Sequence, residues 1–346
     1  MNSFGRKFRV SIFGESHGEQ VGIVMDGVPA GMPLAAEDLK ADIARRKSGA
    51  KGTTPRIEPD EPVILSGVYE GHTTGAPLTI IFKNTNTHSS DYSLFKDMPR
   101  PGHADYVADV KWDGYNDPRG GGHFSARVTT PVVAAGTIAK KAIAKLITDR
   151  FLVDIEPTVE ARLIEIGGEK DSTKWPGMID QIMKEGDSLG GIVECTVRDI
   201  PAGVGEPFFD SVESLISHAV FSIPGVRGIE FGDGFAASRM KGSEHNDPFI
   251  AEPVEDSEEE EFYIHPSKNG AGGVNGGITN GNPIVFRVAF KPTSTIHKAQ
   301  TTYNFAKEGM DVLQAPGRHD ACFALRTPVI VESMAAIVLA DLVSIQ

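Results

Sequence analysis

The sequence predicts a single α+β domain that spans residues 1–346. Hydrophobic residues make up 40% of the chain, enough for a large buried core, and the 23% of charged residues is ordinary for a soluble protein. Strand patterns and helix patterns occur in both halves, and no stretch has the composition of a linker. These observations favour one large mixed domain over two independent ones.

The first half of the chain contains strand patterns and two helical patterns. Short β-prone runs bounded by glycine- or proline-rich turns predict strands over 8–13, 22–26, 63–69 and 78–83. Leu39 and Ile43 lie one helical turn apart and arginines close the segment, which predicts a helix over 35–46. Apolar residues repeat at helical spacing again over 132–149, which predicts a second helix.

Between these helices, residues 84–131 are rich in Asn, Asp, Gly, Pro, His and Arg and are predicted to be irregular. So long an irregular stretch inside a compact domain indicates a functional loop. The second half has strand patterns over 191–198 and 284–290, helical patterns over 209–220 and 328–344, and glycine-rich loops over 201–205, 223–234 and 270–281.

The charge of the chain argues against nucleic acid as a partner, because the net charge is −13 and such partners require a basic surface. Seven of the acids lie in 252–261 without any base, and this run is predicted to be a solvated surface loop. Cys195 and Cys322 form no CxxC pair and fit a reducing cytoplasm. Because the chain has no apolar run of membrane length and no leader pattern, we expect a cytoplasmic protein without a membrane partner.

Several common catalytic motifs are absent from the sequence. There is no P-loop, no GxGxxG fingerprint after a strand and no GxSxG elbow. The ten histidines are too widely spaced for a local metal-binding motif, so no metal site is predicted.

Histidines and arginines instead recur in glycine-rich loops. These loops hold Ser16 and His17 in GESHG, Arg100 and His103 in RPGHADY, Arg119, His123, Phe124, Ser125 and Arg127 in RGGGHFSAR, and Arg318, His319 and Asp320 in GRHD. Glycine lets the backbone approach a ligand, and a guanidinium group forms paired hydrogen bonds to an oxyanion. With Arg45, Arg46 and Arg56, this set suits a small polyanion and histidine acid–base chemistry. The residues alone leave open that the arginines form weak surface ion pairs, and they do not predict the reaction.

The run KPTST comprises Lys291, Pro292, Thr293, Ser294 and Thr295, directly after a predicted strand. A lysine, a proline-restricted turn and three hydroxyl groups are able to hold a phosphate or the edge of a flat heteroaromatic ring. The same pattern is compatible with an ordinary hydroxyl-rich turn.

Motifs along the whole chain resemble those of the chorismate synthase family, in the family's order. They are FGESHG (13–18), DGVPAGMPL (26–34), TTPR (53–56), ILSGVYEGHTTGAPL (64–78), RPGHADY (100–106), RGGG (119–122), SAR (125–127), NGGITNG (275–281), KPTSTI (291–296) and GRHD (317–320). The resemblance implies a trans-1,4 elimination of phosphate from 5-enolpyruvylshikimate 3-phosphate to give chorismate, on the route to aromatic amino acids. Reduced FMN is the implied cofactor although no net redox change occurs, and NADPH is the flavin reductant in some members.

The matching motifs also imply roles for individual residues. His17 would act at the departing phosphate, His103 as a proton donor near the flavin, and Asp320 in deprotonation at flavin N5. The residues implied to bind substrate are Ser16, Arg46, Lys51, Arg100, Arg127 and Arg318. Those implied to bind FMN are His123, Phe124, Ser125, Gly276, Lys291, Pro292, Thr293, Ser294, Thr295 and Arg318.

The resemblance further implies a β-α-β sandwich, in which two repeated units of helices and antiparallel strands pack with their helices inside, and a homotetramer. His123 and Phe124 stand where the family has an arginine and a serine, and Lys51 stands where an arginine is usual, so we expect altered affinity. Two other functions have less support from the sequence. An NAD(P)H-dependent flavin oxidoreductase lacks support because the nucleotide fingerprint is missing, and the presence of His17 and His103 argues against a non-catalytic flavin-binding protein.

Overall fold

The computed structural model describes residues 1–152, 155–253 and 262–346. Within these ranges the α-helices are α1 (Ala36–Arg46), α2 (Asp105–Lys111), α3 (Thr129–Phe151), α4 (Trp175–Glu185), α5 (Val212–Val220), α6 (Gly242–His245) and α7 (Pro328–Ile345). Short 3₁₀ helices cover Ser89–Lys96, Arg119–Phe124, Ala126–Val128, Phe208–Asp210, Gly234–Arg239 and Phe323–Arg326.

The strands in the same ranges are β1 (Ser3–Phe4), β2 (Arg9–Gly14), β3 (Gln20–Asp26), β4 (Val63–Ser66), β5 (Val68–Tyr69), β6 (His72–Thr73), β7 (Leu78–Lys83), β8 (Thr158–Ile166), β9 (Gly191–Arg198), β10 (Val226–Phe231), β11 (Phe249–Pro253), β12 (Phe262–Pro266), β13 (Val274–Asn275), β14 (Ile278–Thr279), β15 (Ile284–Phe290), β16 (Gln300–Asn304) and β17 (Gly309–Leu313). Two of the sheets are large. The first has the order β1-β2-β3-β7-β4 and the second β10-β15-β9-β8, and every neighbouring pair is antiparallel.

The long helices α3 and α7 lie between the two sheets. α3 packs on β3 and β7 of the first sheet, α7 packs on β8 and β9 of the second, and the two helices contact each other along their length. Their close approach requires Gly136, because a Cβ atom there would lie 2.2 Å from Cβ of Ser333. Each half of the chain therefore contributes one sheet and its covering helices, and the predicted β-α-β sandwich with helices inside is confirmed.

The core position of α7 explains its composition. The helix is apolar enough and long enough to cross a membrane, but 89% of it is buried inside the protein. Its hydrophobic residues join one continuous buried cluster that also contains residues of both sheets and of α1, α3 and α5. A helix that is apolar on all sides is what a position between two layers requires.

Most predicted elements agree with the structure. The predictions for β7, β9 and β15 match their bounds, and those for α1, α3, α5 and α7 differ by a few residues. The predicted glycine-rich loop over 223–234 is wrong, because it contains the edge strand β10, whose residues pair with β15. The predicted strand over 63–69 divides at Gly67 into β4 and β5.

Sequence patterns did not reveal every element. β8 and α4 were not predicted, and the stretch 84–131 contains α2 and three 3₁₀ helices. The prediction for the acidic run 252–261 falls mostly outside the described residues. Only Glu252 and Pro253 of that run are described, and both are exposed.

Candidate active site

A cavity of about 920 Å³ lies where loops from both halves of the chain meet. The segments that lead into α3 and α7 form part of its wall, so the N-terminal ends of both central helices face it, and such ends favour anions. Eight cationic side chains line it: Arg46, Arg56, Arg100, Arg127, Arg227, Lys291, Arg318 and Arg326. Its carboxylates are Glu58, Asp60 and Asp320. The chain as a whole is acidic, but the lining of this cavity carries more positive than negative side chains.

His17 lies at one edge of this cavity, behind Gly120 of the RGGG motif. Gly120 has a φ of +64°, and a Cβ atom there would lie 2.3 Å from Cδ2 of His17 and 2.8 Å from Oγ of Ser16. Only glycine therefore lets the loop cover these two side chains. His17 is 7% exposed, its Nδ1 lies 3.0 Å from Oγ of Ser89, and its ring packs edge-on against Tyr92.

Arg56 determines much of the electrostatic environment of His17. It donates from Nη1 to Oγ of Ser16 at 2.8 Å and forms an ion pair with Glu58 at 2.7 Å. Burial, and then the positive charges of Arg56 and Arg119, lower the pKa of His17 to about 4. In the absence of a bound anion the imidazole is therefore neutral near pH 7.

His103 lies against Gly121, the residue after Gly120, but in a different environment. Its Nδ1 is 2.6 Å from Oδ1 of Asp105, and both carboxylate oxygens of Asp105 also accept from Arg100 at 2.7 Å. Burial alone would raise the pKa of Asp105, but hydrogen bonds from Arg100 and His103 bring it well below its usual range. Burial lowers the pKa of His103, and the hydrogen bond to Asp105 opposes that change. An ionised carboxylate only accepts, so Nδ1 carries the proton and Nε2 remains for a ligand.

Arg46 and Arg127 are buried in the wall and share Asp60. Arg127 forms an ion pair with Asp60 and donates from Nε to Oδ1 of Asn84 at 2.8 Å. Arg46 donates from Nε to Oγ1 of Thr129 at 3.0 Å and lies 3.7 Å from Asp60. Burial and then the charge of the neighbouring Arg326 lower the pKa of Arg46 to about 9, so it remains a cation at neutral pH. Both guanidinium groups are held in position in the absence of any ligand.

Asp320 joins the two halves of the chain at the cavity wall. Its Oδ1 accepts from the backbone N–H of Thr54 at 3.0 Å, and its Oδ2 accepts from Nη2 of Arg326 at 2.8 Å. The hydroxyl group of Thr54 also donates to the carbonyl of Arg318 at 3.1 Å. The GRHD and TTPR motifs are therefore bound to each other.

The KPTST segment forms another wall of the cavity. Lys291 donates to Oγ of Ser294 at 2.6 Å and also binds the carbonyl of Gly102, while Oγ1 of Thr295 accepts from Arg100 at 3.1 Å. Oγ1 of Thr293 is buried and has no hydrogen-bond partner in the described part of the chain. Burial and then the charge of Arg227 lower the pKa of Lys291. The segment is thus attached to the loop that carries His103.

His123 and Phe124 also line the cavity, with Ser125 beside them. His123 Nδ1 lies 2.9 Å from the carbonyl oxygen of Gly14, and the ring of Phe124 lies 5.7 Å from that of Trp112. Both rings also line a smaller adjoining cavity of about 390 Å³. The residues at these two positions therefore separate the two spaces.

Four predicted site residues do not line the cavity. Ser16 and His17 lie behind Gly120 of its wall. Lys51 is exposed and forms an ion pair with Asp180, and Gly276 is exposed between β13 and β14. The other predicted site residues all line the cavity. Among the described residues no cluster of His, Cys, Asp or Glu is suited to hold a metal ion.

The sequence patterns missed several residues of the site. Asp105 belongs to the RPGHADY motif but was given no role. Arg56, in TTPR, was predicted only as one of the arginines suited to a polyanion, without a specific contact. Arg227 and Arg326 lie outside every quoted motif and enter the cavity only through the packing of β10 and α7. No sequence signal marked them.

Comparisons with known proteins agree with this geometry. A family model described as chorismate synthase matches residues 8–344. A chorismate synthase from Chitinophaga pinensis is 54% identical, covering 99% of this chain and 96% of its own, and one from Korarchaeum cryptofilum is 45% identical, covering 98% and 96%. A crystal structure of chorismate synthase has the same fold, with a TM-score of 0.70 at 24% identity over 98% of this chain and 92% of that one. The chain belongs to the chorismate synthase family.

Proposed function

We propose that this protein is a chorismate synthase, a lyase that eliminates phosphate from 5-enolpyruvylshikimate 3-phosphate to give chorismate. The observation that carries the proposal is one cavity lined by eight cationic side chains, His103 and Asp320, with His17 directly behind Gly120 of its wall. The substrate carries one phosphate and two carboxylates, and guanidinium groups in fixed positions suit such a polyanion. The family membership of nearly the whole chain supports the same reaction.

The fixed cations support tight binding with little reorganisation. Arg46 and Arg127 are already held by Asp60 and by hydroxyl and carbonyl groups of the protein. Because their side chains are ordered before binding, the substrate does not have to bear that entropy cost. The lining contains more cations than carboxylates, so positive charge remains to be neutralised by an anionic ligand.

The same cavity fits reduced FMN as the proposed cofactor. Oγ1 of Thr293 is a buried polar atom without a hydrogen-bond partner among the described residues, and a ligand with several acceptors and donors would satisfy it. Apolar side chains such as Val132, Phe323 and Met334 provide a surface for a flat ring system. When bound, reduced FMN supplies a transient electron that promotes the loss of phosphate and is then returned.

Three side chains would handle the protons. His17 lies beside the cationic group of Arg56, where a phosphate dianion would bind, and that charge would raise its pKa and let the ring donate to the leaving phosphate. His103 offers Nε2, since Nδ1 is held by Asp105. Asp320 is the lining carboxylate that would accept a proton.

The test is an anaerobic reaction with photoreduced FMN and 5-enolpyruvylshikimate 3-phosphate, in which chorismate absorbance and released phosphate are followed together. The proposal expects equimolar products with the flavin still reduced at the end. Tight FMN binding without product would instead support a flavin-binding protein, and net flavin turnover with NADPH but no chorismate would support an oxidoreductase.

We infer three further properties from the resemblance: assembly as a homotetramer, a cytoplasmic location, and NADPH as a reductant of the bound flavin. Light scattering of the purified protein tests the first. The third is tested by adding NADPH and oxidised FMN in place of the photoreduced flavin, with chorismate formation as the readout.

A further inference from the structure

Arg326 is a buried cation of the cavity that lies outside every motif of the sequence. It ends the 3₁₀ helix Phe323–Arg326, which leads into the central helix α7, and it is 7% exposed. Its Nη2 donates to Oδ2 of Asp320 at 2.8 Å, and the two side chains are 8% and 11% exposed. The carboxylate therefore faces a full positive charge in a region of low solvent access.

The contacts of Asp320 show how its orientation is set. One oxygen accepts from the backbone N–H of Thr54, which belongs to the first half of the chain, and the other accepts from Arg326. The backbone contact holds one oxygen only, so without Arg326 the carboxylate is free to rotate about its bond to Cβ. Arg326 is the side-chain contact that prevents this rotation.

The remaining contacts of Arg326 do not account for its burial as an ordinary structural residue. Its Nε is buried and has no hydrogen-bond partner in the part of the chain that the structure describes. Its guanidinium carbon lies 5.1 Å from the ring centre of Phe323, which is a favourable but weaker contact. Buried donors without partners are uncommon in native proteins and concentrate where a functional constraint outweighs their cost.

We propose that Arg326 is a positioning residue for Asp320: it holds the carboxylate in one orientation toward the ligand space. The inference rests on the proposed function, because it assumes that Asp320 accepts a proton during the reaction. Arg326 itself is not the proton acceptor. Its effect on turnover should therefore depend on the presence of Asp320.

A double-mutant cycle tests this dependence. The enzymes to compare are the wild type, Arg326→Gln, Asp320→Asn and the double variant, with kcat and KM measured in the anaerobic assay. We expect Arg326→Gln to lower kcat about 100-fold, with KM within about threefold, because positioning of a proton acceptor contributes to turnover rather than to binding. In the Asp320→Asn background the same change should lower kcat by less than about threefold, since coupled residues are not additive.

Two further variants separate positioning from folding. Arg326→Lys keeps the charge but not the planar fork, and it should lower kcat less than Arg326→Gln while binding FMN as the wild type does, measured by quenching of flavin fluorescence. Arg162→Lys is the matched control: Arg162 pairs with Glu194 but is 77% exposed, so kcat should be unchanged.

The outcomes distinguish a failure of the proposed function from a failure of the role of Arg326. A wild type that makes no chorismate would overturn the proposed function and this inference with it. An active wild type in which the two substitutions multiply, or in which Arg326→Gln raises KM and leaves kcat unchanged, would overturn the role of Arg326 alone. If Arg326→Gln does not fold, the same cycle with Arg326→Lys decides the matter.

Discussion

His17 and His103 differ in the groups that contact their rings. His17 is hydrogen-bonded to the neutral hydroxyl group of Ser89, and Arg56 is among the charges nearest to it. His103 is bonded to the ionised carboxylate of Asp105, although it too lies beside an arginine. Burial lowers the pKa of both rings, but only His103 has a hydrogen-bonded carboxylate that opposes the effect.

This difference shows how one cavity can hold two rings with distinct duties. A buried imidazole becomes charged only when a negative group is close to it. His103 is hydrogen-bonded to such a group in the protein itself, although burial still keeps its pKa below the ordinary value. The hydrogen-bond partner of His17 is neutral, so a bound anion would supply the charge there. Protonation of His17 should therefore be linked to anion binding, which is suitable for a group that donates to a departing phosphate.

The largest effect expected from breaking this arrangement is on turnover. Replacement of His17 by alanine should lower kcat by about 10²–10⁴-fold, the usual contribution of a positioned general acid. The anaerobic assay measures this loss. The control is His72→Ala, because His72 is exposed and bonded only to a nearby backbone carbonyl. Equal losses in both variants would contradict a specific role for His17.

The next largest effect concerns stability, and it should differ between the surroundings of His103 and those of His17. Asp105→Asn removes the negative partner of the buried Arg100 as well as that of His103. Breaking such a buried pair from one side should lower the free energy of unfolding by roughly 3–5 kcal/mol. His17→Ala removes no ion pair and should lower it less. Urea unfolding of both variants tests this order, and the reverse order would refute the comparison.

A smaller effect is expected in acid. Burial lowers the folded-state pKa of His17 and of His319 to about 4, whereas an unfolded histidine titrates near 6.5. Below pH 6.5 the unfolded chain binds protons at these rings that the folded protein does not, so their contribution should lower stability between pH 6.5 and pH 4 and then level off.

The two rings can be tested one at a time in the same range. Either histidine should contribute roughly 1–2 kcal/mol to the loss, after allowance for solvent screening. Urea unfolding of His17→Gln and His319→Gln at pH 7 and pH 4.5 measures it. A dependence on pH identical to that of the wild type would show that these rings titrate normally.

The sequence predicted the buried elements of the fold better than its edges. The strands β7, β9 and β15 have neighbours on both sides, so burial enforces a clear apolar pattern. β10 lies at the edge of its sheet within a glycine-rich segment, and its pairing with β15, not its composition, makes it a strand. β8 is likewise an edge strand and was missed.

The site shows a similar limit. Histidines and arginines in glycine-rich motifs marked most of the cavity, because close backbone approach requires residues such as Gly120. The partners that set their charge states could not be read from the motifs. Arg326 reaches Asp320 only through the turn that precedes α7, and Lys51 lies at a motif-matched position but faces solvent. Such pairings depend on packing between distant segments.

The most direct test of the difference between His17 and His103 is an NMR titration of both imidazole rings, with and without sulfate, a dianion that does not itself titrate in this range. Substitution of each histidine in turn assigns the signals. The account predicts that His17 titrates at about 4 without sulfate, and that sulfate raises the pKa of His17 more than that of His103. If His17 titrates normally without an anion, or if sulfate affects both rings equally, protonation of His17 is not governed by the ligand and the assignment of its role is wrong.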